Sequence, residues 1–133
     1  MENLYASLLK TWCDQLISLQ VKGTGVKQLD GGFLCPACKV IHGRCGDAIF
    51  PMMLLAQRTG EEKYLSSARA LFAFQENMLC DDGSLYNDGN SAWNGITVFA
   101  AIALCEALDH CGELLEAEER AAWRARLTKM GDW

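Results

Sequence analysis

Apolar residues recur at helical spacing in five stretches of this chain, with polar or glycine-bearing segments between them. Leu4, Tyr5, Leu8, Leu9, Trp12, Cys13, Leu16 and Ile17 share one side of a helical period, which predicts an amphipathic helix over roughly residues 3–21. Gly23 and Gly25 follow as its stop. A loop over about residues 22–46 comes next and contains Asp30-Gly31-Gly32. Asp47 to Arg58 is apolar almost all round, which predicts a short buried helix with Pro51 in or near its first turn. Thr59-Gly60-Glu61-Glu62 joins a glycine stop to a capping box from Thr59 to Glu62. A third helix then runs to about Leu79, with Tyr64, Leu65, Ala68, Leu71, Phe72, Gln75 and Leu79 on one face. After a polar loop from Cys80 to Ser91, Trp93 to His110 is again nearly all apolar. Gly112 ends that segment, and Glu116 to Met130 forms a last amphipathic helix with Trp123, Leu127 and Met130 inward.

The order of these segments predicts an architecture. One-faced helices alternate with helices that are apolar on several sides, so outer and inner helices alternate along an all-α chain of antiparallel hairpins. Polar loop, inner helix, glycine turn and outer helix occur twice, about 45–50 residues apart, with Gly60 and Gly112 at equivalent turns. An outer helix returns the chain between two inner ones, so the inner helices should run parallel. Loops 30–47 and 80–94 should then line one rim. That brings His42, Arg44 and Asp47 towards Asp82, Tyr86, Asn87, Asp88, Trp93 and Asn94. Two helix N-termini at such a rim add partial positive charge.

Composition narrows the partners. The 133 residues make one domain, 1–133, with half of them apolar and 22% charged, so disorder is not expected. The net charge is −5 and there is no Lys/Arg block, which argues against a nucleic acid partner. No apolar run is long enough to span a membrane, and the N-terminus lacks the pattern of a secretory leader. Seven cysteines without secretory context predict reduced thiols and a cytoplasmic location. Cys13, Cys105 and Cys111 lie inside helical patterns and read as small buried hydrophobes.

The chemistry concentrates in Cys35-Pro-Ala-Cys38-Lys-Val-Ile-His42-Gly-Arg44-Cys45-Gly-Asp47. Cys35, Cys38, His42 and Cys45 can place three thiolates and an imidazole around tetrahedral zinc. The Cys-Pro-x-Cys turn resembles the knuckle of zinc ribbons, although all four ligands come from one loop. A redox Cys-x-x-Cys pair and plain core cysteines are the two other readings, and the residues leave all three open. Beside the cluster, Arg44 can clamp an anion and His42 can carry a proton. A uronic acid suits that pair, while a structural histidine and an Asp47 helix cap are the bland alternatives. In the second loop, Asp82 and Asp88 can act as carboxylates and Tyr86 as a proton carrier. Asn87 and Asn94 can fix hydroxyls, and Trp93 offers a flat face to a sugar ring. A surface turn rich in Asp, Asn and Gly for backbone reasons is the competing reading.

The alternating helices, together with Cys35-Pro-Ala-Cys38, Ile41-His42-Gly43-Arg44, Asp81-Asp82-Gly83-Ser84 and Trp93-Asn94-Gly95-Ile96-Thr97, resemble (α/α)-toroid carbohydrate-active proteins. Heparinase II/III-type polysaccharide lyases and unsaturated glucuronyl hydrolases are the groups of that kind. The resemblance implies the N-terminal segment of a longer hydrolase or lyase that binds a sugar or small anionic ligand at the rim. This chain supplies only an arc of such a ring. Inner helices 47–58 and 93–110 should therefore bare apolar flanks, to be covered by a homo-oligomer or by a continuation of the same chain. The other class of function the sequence allows is a non-catalytic helical interaction domain whose Cys/His loop is stapled by zinc.

Overall fold

The computed structural model describes residues 4–89, 91 and 93–133. Among them are five α-helices: α1 (Leu4–Ser18), α2 (Ile49–Thr59), α3 (Glu62–Gln75), α4 (Ile96–Cys111) and α5 (Ala117–Gly131). Among the described residues extended backbone is limited to isolated antiparallel bridges, so the fold is all-α, as the periodicity predicts.

Each boundary has a local cause. α1 ends at Ser18, short of its predicted end, because the chain turns there into an extended segment. Gln20 pairs with Phe33, and its side-chain amide donates to Gly31 O and Ser67 O at 2.8 and 3.2 Å. Gly23 and Gly25 therefore do not stop the helix. They shape the next turn, where Asp30 accepts hydrogen bonds from Thr24 and the Gly25 amide. A 3-10 turn, Gly43–Ala48, leads into α2, so Asp47 is not its N-cap. Pro51 falls in the first turn of α2, where its missing N–H removes no helical bond.

The predicted capping box at Thr59 does not form. Thr59 donates back to Leu55 O and accepts from the Glu61 amide, and Gly60 (φ 70) closes α2 in the left-handed conformation. A reciprocal box does form at the start of α5, between Glu116 and Glu119. α4 ends in a 3-10 turn in which Gly112 has φ −61, so the two glycine turns are not conformationally equivalent.

α2 and α4 lie side by side in the same direction. Near their starts, the Arg44 guanidinium sits 4.6 Å from the centre of the Phe99 ring, and Asp47 and Phe99 line one cavity. Near their ends, Gln57 donates to His110 O at 2.8 Å. The core lies between these two helices and α3, with Met52, Met53, Tyr64, Leu71, Phe74 and Leu104 at most 1% exposed. Removing each of these side chains from water contributes about 1.5–3 kcal/mol.

The outer helices are tied by polar groups as well. Arg69 forks onto Glu119 at 2.7 and 2.8 Å and joins α3 to α5. Phe72 stacks on Trp123, and the buried Arg126 guanidinium also sits against the Phe72 ring while pairing with Glu76 at 2.6 Å. On α1, Cys13 is buried and Asp14 accepts from the Tyr64 hydroxyl at 2.8 Å. The Lys63 and Lys10 ammonium groups and that hydroxyl hold the Asp14 carboxyl far below the ordinary carboxylate range.

Two apolar faces stay open. Leu4, Tyr5 and Trp12 are exposed, so only part of the α1 stripe meets the core. On α4, Val98 and Ile102 are more than half exposed, and Cys105 shares that flank rather than being buried as expected. With Leu127, Met130 and Trp133 this flank forms an open groove of about 460 Å³.

Candidate functional site: a rim of two loops

The first loop folds back on itself between Leu34 and Ile41. Cys35 N donates to Val40 O and Lys39 N donates to Cys35 O, both at 3.0 Å, which closes the Cys-Pro-Ala-Cys turn with Lys39 at φ 60. The Cys38 and Ala37 amides point at the Cys35 sulfur, and those hydrogen bonds draw its thiol pKa down to about 7. Cys38 Sγ lies 3.1 Å from His42 Nε2. The ligating atoms of Cys35, Cys38 and His42 all fall within 4.8 Å of one another. Cys45 does not join them. Its side chain turns towards the core and burial pushes its thiol up to about 12, which corrects the expectation of four ligands in one cluster. The turn Gly43–Ala48 is what carries it away.

The two loops meet directly. Gly43 N donates to Asn87 O at 2.6 Å, and Arg44 N donates to Asn87 Oδ1 at 3.3 Å. This approach requires glycine, since a Cβ at position 43 would lie 2.5 Å from Tyr86 O and 2.8 Å from Ile96 Cδ1. One residue earlier, His42 Nδ1 lies 3.1 Å from Asp88 Oδ2, and Asn87 Nδ2 donates to the same carboxylate oxygen at 3.0 Å. His42 is therefore held between Cys38 on one ring nitrogen and Asp88 on the other. Sequence reasoning placed Asp88 at the rim but did not pair it with His42. Their separation of 46 positions hides that contact from any local pattern.

The remaining candidates divide by their surroundings. Tyr86 donates its hydroxyl to Asn77 O at 3.0 Å, away from His42. Asp82 accepts from both Ser84 N and Ser84 Oγ, and these bonds lower its pKa, with Lys129 adding to the effect. It is thus fastened in a turn beside α5 rather than brought to the Cys/His loop. Asn94 donates to Ser84 Oγ at 2.8 Å and shapes the entry to α4. Asn87 works as the joint between the loops.

Arg44 donates two hydrogen bonds to Asp47 Oδ2, at 2.9 and 2.7 Å, yet half of its side chain remains exposed. Asp47 Oδ1 is buried without a hydrogen-bond partner. Phe99, beneath the Arg44 guanidinium, was legible only as a buried helical residue, although it is 43% exposed. The Trp93 indole lies over Gly95, where an added Cβ would come within 2.4 Å of the ring, and the residue is 54% exposed. Lys39 and Arg44 are the exposed cations of the Cys/His stretch.

An exposed aromatic face and a guanidinium on a rim of amides and carboxylates form a surface suited to sugars. The family model for the ulvan lyase N-terminal domain matches residues 9–133, and the chain belongs to that polysaccharide lyase family. It is 34% identical over 134 aligned positions to the broad-specificity ulvan lyase of Formosa agariphila. The alignment takes in 99% of this chain but 21% of that enzyme, so the chain spans about a fifth of its curated relative. No solved structure matches the chain.

Proposed function

We propose that this domain is the opening helical arc of a polysaccharide lyase and that its rim holds an acidic, uronate-containing glycan. The observation that carries this reading is the junction of loops 30–47 and 80–94 at Gly43–Asn87 and His42–Asp88, in a member of an ulvan lyase family. Two separated loops are fastened into one surface with an exposed cation and an exposed indole on it. Arg44 would meet the uronate carboxylate, and Asp47 keeps the guanidinium oriented while leaving donors free. Trp93 would stack against a sugar ring. The net charge of −5 repels polyanions at long range, so recognition would rest on these local groups.

Among the groups proposed to move a proton or act as carboxylates, Tyr86 already donates to Asn77 O, outside the second loop, and Asp82 accepts from Ser84 within it. His42 is oriented by Asp88, but it also lies against a thiol. The rim is therefore read as a binding and positioning surface, with the bond-breaking step belonging to the longer protein. In a toroid of the heparinase II/III type, the bared flank of α4 is the face that a following hairpin would cover. That the chain corresponds to a fifth of its relative supports this arrangement over a self-contained interaction domain.

Binding of ulvan oligosaccharides, followed calorimetrically, tests the reading. Arg44→Ala and Trp93→Ala should each weaken it about tenfold, the effect of one exposed charge contact or one stacked ring. Cello-oligosaccharides, which carry no carboxylate, should bind more weakly and respond only to Trp93→Ala. Unchanged ulvan affinity in both variants would end the proposal.

A further inference from the structure

We propose that Cys35, Cys38 and His42 form a zinc site whose imidazole is oriented by Asp88, so that the ion fastens the first rim loop to the second. This is independent of which glycan the rim holds. Three features carry it. First, the donor set is two sulfurs and one imidazole nitrogen, all within 4.8 Å of one another. Ligands bound to zinc at about 2.0–2.3 Å in a tetrahedron stand roughly 3.3–3.8 Å apart, so little movement is needed to close on an ion. Second, the Cys35–Lys39 turn directs the Ala37 and Cys38 amides at the Cys35 sulfur, which is how a backbone supports a metal-bound thiolate. Lys39 holds a left-handed backbone conformation there, φ 60, with no glycine to ease it.

Third, the histidine has the two-sided environment of a zinc ligand. Asp88 Oδ2 faces Nδ1 at 3.1 Å and Cys38 Sγ faces Nε2 at 3.1 Å. A proton on Nδ1 donated to Asp88 leaves the Nε2 lone pair aimed at the thiol group, the tautomer that coordination requires. Asp88 belongs to the second loop, 46 residues away, so the bond that orients the ligand also spans the rim.

No fourth His, Cys, Asp or Glu joins the group among the described residues, and Cys38 is exposed. The fourth position therefore opens to water. Both cysteines enter as thiolates, and their protons go to solvent on binding. Cys45, packed against the core, takes no part.

Cobalt(II) titration of the reduced chain gives the test, because thiolate-to-cobalt charge transfer absorbs in the near ultraviolet and needs no variant. One cobalt per chain with that band, displaced by zinc, is the expected result. Cys38→Ser should abolish the band, and Asp88→Asn should weaken binding about 10- to 100-fold. Cys45→Ser and Cys105→Ser should keep the stoichiometry, with native helix content checked by circular dichroism. Absence of the band in the reduced wild type would overturn the proposal. So would a band that survives Cys38→Ser, an Asp88→Asn variant of unchanged affinity, or loss of the band in a folded Cys45→Ser variant.

Discussion

Phe74→Ala should be the most damaging single change, costing about 4 kcal/mol and lowering Tm by roughly 15 °C. Phe74 is 1% exposed and lies at the meeting point of α3, the core and the first loop. A Cβ built on Gly32 would come within 2.9 Å of its ring, so the ring rests against the Gly31–Gly32 backbone. Truncation leaves a cavity the size of a benzene ring beneath the segment that leads to Cys35. Stability and rim geometry should therefore fail together. Thermal unfolding by circular dichroism gives the first quantity. The cobalt band and oligosaccharide affinity, measured well below the lowered Tm, give the second. A loss under about 1.5 kcal/mol would mean that Phe74 is not packed as described.

Gly43→Ala is the second large effect, and the more diagnostic one. The added methyl meets Tyr86 O at 2.5 Å and Ile96 Cδ1 at 2.8 Å, and the first of these is backbone that cannot rotate away. Relief requires the loops to separate, which breaks the Gly43–Asn87 and Arg44–Asn87 hydrogen bonds. The expected cost is about 2–3 kcal/mol, in the range of an overpacked interior site. Ulvan oligosaccharide affinity should fall with it, since Arg44 and the second loop no longer share a frame. Gly131→Ala is the matching control, because a Cβ there meets nothing within 4 Å. Its stability should stay within about 0.5 kcal/mol of the wild type. Equal stabilities for the two variants would contradict the close approach.

The fold was legible where many weak signals agree. Five periodic segments, two of them apolar on several sides, suffice to order the helices. The parallel course of the inner pair then follows from the return of the chain through α3. The shared rim was a consequence of that topology and needed no knowledge of side chains. Bounds and caps were less legible, because each depends on a competition between a few hydrogen bonds. Thr59 had the right spacing for a box with Glu62, yet its hydroxyl bonds back to Leu55 O. Glu116 is an uncommon capping residue, and it succeeds because Glu119 is held in place by Arg69 from another helix.

The site was partly legible for a related reason. Spacing along one loop collected Cys35, Cys38, His42 and Cys45, but spacing cannot give the direction of a side chain once the loop tightens. The 3-10 turn from Gly43 rotates Cys45 into the core. In the same turn Asp47 becomes the partner of Arg44 instead of a helix cap. His42–Asp88 and Arg44–Phe99 are long-range contacts, each visible only when the chain is folded. The exposed flank of α4 shows the opposite case. An all-round apolar pattern predicts burial, and the chain alone does not supply enough partners to provide it.

The most direct test of the rim is an amide shift map of this chain titrated with an ulvan oligosaccharide. Perturbations confined to residues 42–47 and 82–94, and removed by Gly43→Ala, are the predicted result. Shifts centred on α1 or on the far ends of α2 and α4, or no shifts at saturating ligand, would contradict it.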